Sequence, residues 1–116
     1  MVEVYGLKNC DTCRRAVKWL EREKIAHIFH DLRKDAPAQA EIARWAGAVG
    51  WEVLLNKAGT TWRGLADDEK AALTQAKAVK LMAAHVALMK RPIFDLGDMV
   101  LVGFKQAQQT ALKTRA

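Results

Sequence analysis

Between Val2 and Asp31 the hydrophobic period changes twice, and no other feature of this 116-residue chain restricts its fold as much. Val2-Glu3-Val4-Tyr5 alternates as a half-buried strand does, and Gly6 to Asn9 supplies a turn. Over Thr12 to Lys24 the period lengthens, with Cys13, Ala16, Val17 and Leu20 at helical spacing. Ala26 to Phe29 returns to strand character and ends at Asp31. Strand, helix and strand with joints this short imply a parallel pair joined by a right-handed crossover.

The rest of the chain reads as a helical insert and a second half. A helix is expected to start near Pro37, a residue suited to a first helical turn, with Asp35 available as its cap. Its apolar stripe is Ile42, Trp45, Ala46 and Val49; Gly50 ends it, and Trp51 to Leu55 forms another short helical piece. Asn56 to Gly64 is polar with two glycines and reads as a loop. Asp67, Asp68 and Glu69 place acid at the start of an alanine-rich helical run to about Ala87, with a break near Thr74. After Arg91-Pro92, the segments Ile93 to Asp95 and Met99 to Val102 flank Leu96-Gly97-Asp98, a hairpin signal. Gly103 then precedes a last helix carrying Phe104, Ala107, Ala111 and Leu112 on one side. The order is β-α-β, a helical insert at about residues 35–90, then β-β-α. It predicts an α/β fold: a four-stranded mixed sheet on the thioredoxin-like (glutaredoxin-like) plan, one domain over residues 1–116.

The two cysteines, Cys10 and Cys13, fall at the first strand-to-helix junction. A thiol there faces unpaired amides and the positive end of the helix dipole, both of which favour the nucleophilic thiolate. Cys10 is therefore the candidate catalytic nucleophile. Cys13, one turn on, suits a resolving or redox partner, and equally suits a buried apolar filler on the stripe of Val17 and Leu20. Lys8, Arg14 and Arg15 add positive potential nearby. Two arginines early in a helix oppose its dipole, a cost that a bound anion would offset and that Asp11 partly cancels.

Other constellations are weaker. Cys10, Cys13, His27 and His30 form C-x2-C-x13-H-x2-H, short of zinc-finger spacing. Histidines three apart on a strand also project from opposite faces, so no metal site is expected. Arg91-Pro92 is the second site candidate, where Arg91 would be presented toward the thiol by a cis bond. The residues alone favour a trans proline starting an edge strand, since few X-Pro bonds are cis.

Composition bounds the role. Apolar residues make up 51% and charged residues 28%, the balance of a folded domain rather than a disordered or membrane protein. No apolar run approaches a spanning helix, and a start containing Glu3 does not read as a secretory signal. The expected setting is the cytoplasm, where a CxxC serves chemistry rather than as a staple. A net charge of +6 suggests anionic partners, but the cations are spread without a dense run. The tryptophans at 19, 45 and 51 read as packing, so no direct nucleic-acid binding is expected. Trp62, beside Arg63 in the polar loop, is the residue placed to line a cleft.

Five segments carry a family likeness: Tyr5-Gly6-Leu7-Lys8-Asn9-Cys10-Asp11-Thr12, Gly50-Trp51-Glu52-Val53-Leu54-Leu55-Asn56, Gly59-Thr60-Thr61-Trp62-Arg63, Lys90-Arg91-Pro92-Ile93 and Leu101-Val102-Gly103-Phe104-Lys105. Together they resemble the arsenate reductase (ArsC)/Spx family, and most closely its YffB-like subgroup. The resemblance implies a cis Pro92 and a Cys10 that attacks its substrate and forms a mixed disulfide with glutathione. It implies that Lys8, Asn9, Thr12, Arg63, Arg91 and Pro92 bind the anion or glutathione. No tightly bound cofactor is implied; glutathione is the co-substrate, with glutathione or a glutaredoxin-type protein as donor and a small anionic or disulfide substrate. The Leu-Leu-Arg arginine of the family's reductases corresponds to Asn56, and a later one falls near Gly103. Without those guanidinium forks an arsenate oxyanion loses bidentate bonding. The resemblance therefore points to a glutathione-dependent thiol reductase. Arsenate reductase proper, or an Spx-like redox-switched regulator that binds RNA polymerase, stands as the alternative.

Overall fold

In a computed structural model, which describes residues 1–115, each sequence segment takes up its element in order. β1 (Val2–Gly6) leads into α1 (Asp11–Arg22) and β2 (His27–Asp31). The insert holds α2 (Gln39–Val49), α3 (Trp51–Leu54), α4 (Thr60–Arg63), α5 (Asp67–Lys70) and α6 (Gln75–Ala84), then a 3-10 turn at Val86–Leu88. β3 (Ile93–Asp95), β4 (Val100–Val102) and α7 (Gln106–Arg115) complete the chain. Two compact units result: residues up to Asp35 together with those from Arg91 onward, and Ala36–Lys90.

The first unit is built on a four-stranded sheet ordered β2-β1-β3-β4. β1 runs parallel to β2 and antiparallel to β3, and β3 is antiparallel to β4. This is the mixed sheet that the β-α-β and β-β-α halves require, and the fold is thioredoxin-like. Because side chains alternate along a strand, Val2 and Val4 share a face with Phe94. Ala16, Trp19 and Leu20 of α1 and Leu112 of α7 close over that face. The buried stripe of α1 is Cys13, Ala16, Trp19 and Leu20, so Trp19 takes the place expected for Val17. The indole meets the Phe104 ring edge-on at 5.6 Å, whereas Val17, on the other margin of the stripe, is only half-buried. Packing from α7's side of the sheet decides between two positions that periodicity alone leaves equal.

In the second unit α2 packs against α6 and α3, with Ile42, Trp45, Ala46 and Met82 fully buried. Two boundaries differ from expectation. The helix expected near Pro37 starts at Gln39, and Asp35 is not its cap. Asp31 explains this: its carboxylate accepts from the amides of Arg33 (2.8 Å) and Lys34 (3.3 Å), and its carbonyl accepts from Asp35 N–H (2.8 Å). That local turn competes with helix until the chain has passed Pro37. The expected loop at residues 56–64 contains the single turn α4. The Asn56 carboxamide accepts from Ala58 N–H (3.0 Å), and the Arg63 guanidinium donates to the Ala58 carbonyl (2.7 Å), bracketing a helical turn too short for any apolar period.

The other signals of this unit hold. Gly50 ends α2 at φ 92°, a conformation that favours glycine. The helical run breaks before Thr74, whose hydroxyl accepts from Lys77 N–H (3.2 Å) to cap α6. Lys77 itself donates through Nζ to the carbonyls of Asp68 (2.8 Å) and Ala71, holding the broken segment onto the helix.

Candidate active site

The thiol pair is placed by the end of β1. After Leu7 the chain turns, with Cys10 N–H donating to the Leu7 carbonyl at 3.2 Å, and Cys10 becomes the N-cap of α1 with extended backbone (φ −96°, ψ 120°). Its carbonyl accepts the first helical bond, from Arg14 N–H at 3.0 Å. Cys10 is partly exposed, whereas Cys13 is 1% exposed; both thiols are free.

The two sulfurs ionise in opposite senses. Burial works against the Cys10 thiolate, but the Cys13 amide, the Cys13 thiol, the Thr12 amide and the charge of Arg91 together outweigh it, so its pKa is lowered. The Cys10 side chain closes no capping hydrogen bond of its own; the amides act on the charged form. Cys13 is pushed up to about 12, by burial above all. A backbone hydrogen bond at Leu7 and the charge of Arg91 oppose that rise, while the hydrogen bond to Cys10 and its charge add to it. The geometry thus pairs a Cys10 thiol whose ionisation is favoured with a Cys13 thiol that keeps its proton and donates to it.

Gly6 makes this possible, and its part was not visible in the turn assigned to it. A Cβ at residue 6 would lie 2.6 Å from Cys13 Sγ and 3.3 Å from both Cys13 Cβ and Phe29 Cε1. Only a bare backbone lets the Cys13 sulfur settle against β1. A glycine at the end of a strand signals such a close approach, and that was the available clue.

Arg91 and Pro92 belong to the same unit. Their peptide bond is cis, as the family resemblance implies and against the trans bond favoured by the residues alone. The Pro92 carbonyl accepts from Gly103 N–H at 2.9 Å, and Gly103 sits at φ 92°, a backbone that disfavours a side chain such as arginine there. Lys8 and Asn9 are exposed in the turn, and Thr12 lies in the first turn of α1. Arg14 does not stand free in solvent: it donates to the Lys8 carbonyl (2.9 Å) and pairs with Asp11, which holds the turn to the helix. Arg15 reaches toward the Thr12 hydroxyl at 3.5 Å.

Other candidates lie elsewhere. Arg63 belongs to the second unit, on α4. Trp62 of that helix is half-buried, with the Lys57 and Lys70 ammoniums 5.6 and 5.7 Å from its ring centre. β2 runs unbroken through His27 and His30, which therefore project from opposite faces. His27 Nδ1 is 2.8 Å from the Ile25 carbonyl oxygen, and His30 Nε2 is 2.8 Å from Glu3 Oε1 while its ring stacks on Tyr5.

The sequence pattern of the ArsC family matches residues 5–112, from the strand before the cysteines to the last helix. This chain belongs to the ArsC family. A solved YffB protein is 41% identical with a TM-score of 0.92, covering 97% of this chain and 98% of that one. An arsenate reductase (ArsC) related protein from Brucella melitensis is 42% identical with a TM-score of 0.76, covering 95% and 92%. Among curated proteins the likeness reaches the global transcriptional regulator Spx of Streptococcus pneumoniae, 20% identical over all of this chain and 88% of that protein. The ArsC-family strand-to-helix turn is thus where Cys10 and Cys13 stand. Among the described residues no helix is long and apolar enough to cross a membrane.

Proposed function

We propose that this ArsC-family chain is a glutathione-dependent thiol oxidoreductase, working in the reducing cytoplasm with Cys10 as its nucleophile. The observation that carries the reading is the divided ionisation of the pair: a lowered, accessible Cys10 beside a buried Cys13 held up to about 12. The Cys10 thiolate attacks one sulfur of a disulfide, forming a new S–S bond and expelling the other sulfur as a thiolate. Arg91, Lys8 and the amides of Thr12 and Cys13 supply the positive field in which the anionic portion of the substrate sits, and Asn9 and Pro92 border it. Once Cys10 is in a mixed disulfide its charge is gone, which removes one of the causes that keep Cys13 protonated. Cys13 can then release the product by closing onto Cys10, or a second glutathione thiolate can do so.

Asn56 and Gly103 stand at or near the places where the family's reductases carry arginine, which supports thiol exchange over arsenate as the principal reaction. The test is intact mass after exposure to oxidised glutathione. Cys13→Ser should gain one glutathione, wild type should gain one glutathione or close an internal disulfide, and Cys10→Ser should do neither; a glutathione adduct on Cys10→Ser overturns the assignment. An Spx-like regulator is the second reading, favoured by the curated Spx relative. It requires capture of RNA polymerase and no turnover with glutathione.

A further inference from the structure

A groove of about 340 Å³ runs along α1 in the first unit, and of its lining the mechanism above uses only Lys8 and Cys13. Its floor is apolar: Leu7, Val17, the Phe29 ring and Cys13. Its rim is charged unevenly. Lys8 and Arg14 stand at the end nearer Cys13, Lys18 lies further along the helix, and Glu21 follows it by about one turn. From Cys13 to Glu21 the helix rises about 12 Å. Volume and lining match a small-molecule site, with an apolar body and a few charged groups that set orientation.

The rim chooses the ligand. Lys18 has no carboxylate partner among the described residues, and Lys8 acts only at a distance on Asp31. Arg14 already pairs with Asp11 but keeps its net charge at the groove's mouth. Two cations at one end, a third part-way along and a carboxylate at the other end favour a negative head beside the N-terminus of α1 and an uncharged tail toward Glu21. The helix dipole adds to that preference at the near end. Cys13 lines the head end of the groove, and Cys10 stands one turn before it in the chain, outside that lining.

We propose that this groove is the binding site for the apolar part of an amphipathic anion, an aliphatic or aryl acid of small size, and that the disulfide substrate whose S–S bond the Cys10 thiolate breaks carries such a group. The second clause rests on the reading of Cys10 as the reactive centre; occupancy of the groove does not. Octanoate, whose extended chain approaches the groove's length, is the probe, with octylamine and octanol as controls. Titrations followed by amide NMR shifts should place octanoate at residues 7–8, 13–21 and 29, binding at least tenfold more tightly than octylamine. Val17→Trp, which fills the half-buried floor, and Lys18→Glu, which reverses an exposed charge, should each weaken octanoate at least tenfold. Lys18→Glu touches no core residue and keeps the test decisive if Val17→Trp does not fold. Equal binding of octanoate and octylamine, shifts that map elsewhere, or no effect of Lys18→Glu would overturn the site. The same titration on Cys10→Ser separates the two claims. Octanoate bound there, with no glutathione adduct on Cys13→Ser, retains the groove and ends the redox assignment; an adduct on Cys13→Ser with no octanoate binding does the reverse.

Discussion

Replacing Gly6 by Ala tests how the fold places the thiol pair. The new Cβ would stand 2.6 Å from Cys13 Sγ, about 1 Å inside ordinary carbon–sulfur contact. It would also press at 3.3 Å on Cys13 Cβ and Phe29 Cε1, contacts that a shift of a few tenths of an ångström relieves. Cys13 is 1% exposed, so its sulfur can yield only toward the groove it lines. Overpacking of this kind costs about 1–3 kcal/mol. Alanine returns about 0.4–1 kcal/mol through the stiffer unfolded chain, since Gly6 does not occupy the left-handed region. The net loss should be about 1–2 kcal/mol, or about 4–8 °C in Tm for a domain of this size. The assay is thermal and urea denaturation of the four proteins in the cycle Gly6→Ala, Cys13→Ala. With the sulfur removed, Gly6→Ala should cost nearly nothing, giving a coupling of about 1–2 kcal/mol. The same Tm loss in both backgrounds would refute the steric account. Gly6→Ala should also slow alkylation of Cys10 near neutral pH, because displacing the Cys13 sulfur removes its hydrogen bond to the thiolate.

Four further outcomes follow. Arg91→Ala should raise the alkylation midpoint of Cys10 toward that of a free thiol while Arg91→Lys largely preserves it, because the guanidinium charge favours the thiolate; rate against pH checks this. Folding stability of the reduced protein should fall as pH rises from the ordinary thiol value, about 8.5, toward about 12. Over that window the folded state keeps the Cys13 proton that the unfolded chain loses, so Cys13→Ala should flatten the alkaline limb measured by urea midpoints. Cys10 has the opposite sign: its contribution is fully present above the ordinary thiol value and is lost as pH falls through its lowered one, a slope that Cys10→Ser should remove. Thr74→Ala should cost about 1 kcal/mol by uncapping α6, read as a lower Tm with no change in Cys10 alkylation.

Much of this arrangement was legible in the chain because it rests on local chemistry. The period changes over residues 2–31, the glycine at 50 and the hairpin around Gly97 each encode their element within a few residues. The cysteine spacing at a strand-to-helix joint picked out, for the same reason, the sulfur whose pKa is lowered. Tertiary structure decided what depends on packing between distant segments. Trp19 rather than Val17 completes the α1 stripe because Phe104, from the far end of the chain, lies against it. Cys13 loses its ready ionisation because Gly6 and Phe29 bury it, and burial is a property of the assembled sheet. Arg91 joins the thiol pair only because antiparallel pairing sets β3 beside β1, and no spacing along the sequence carries the field one side chain exerts on another eighty residues away.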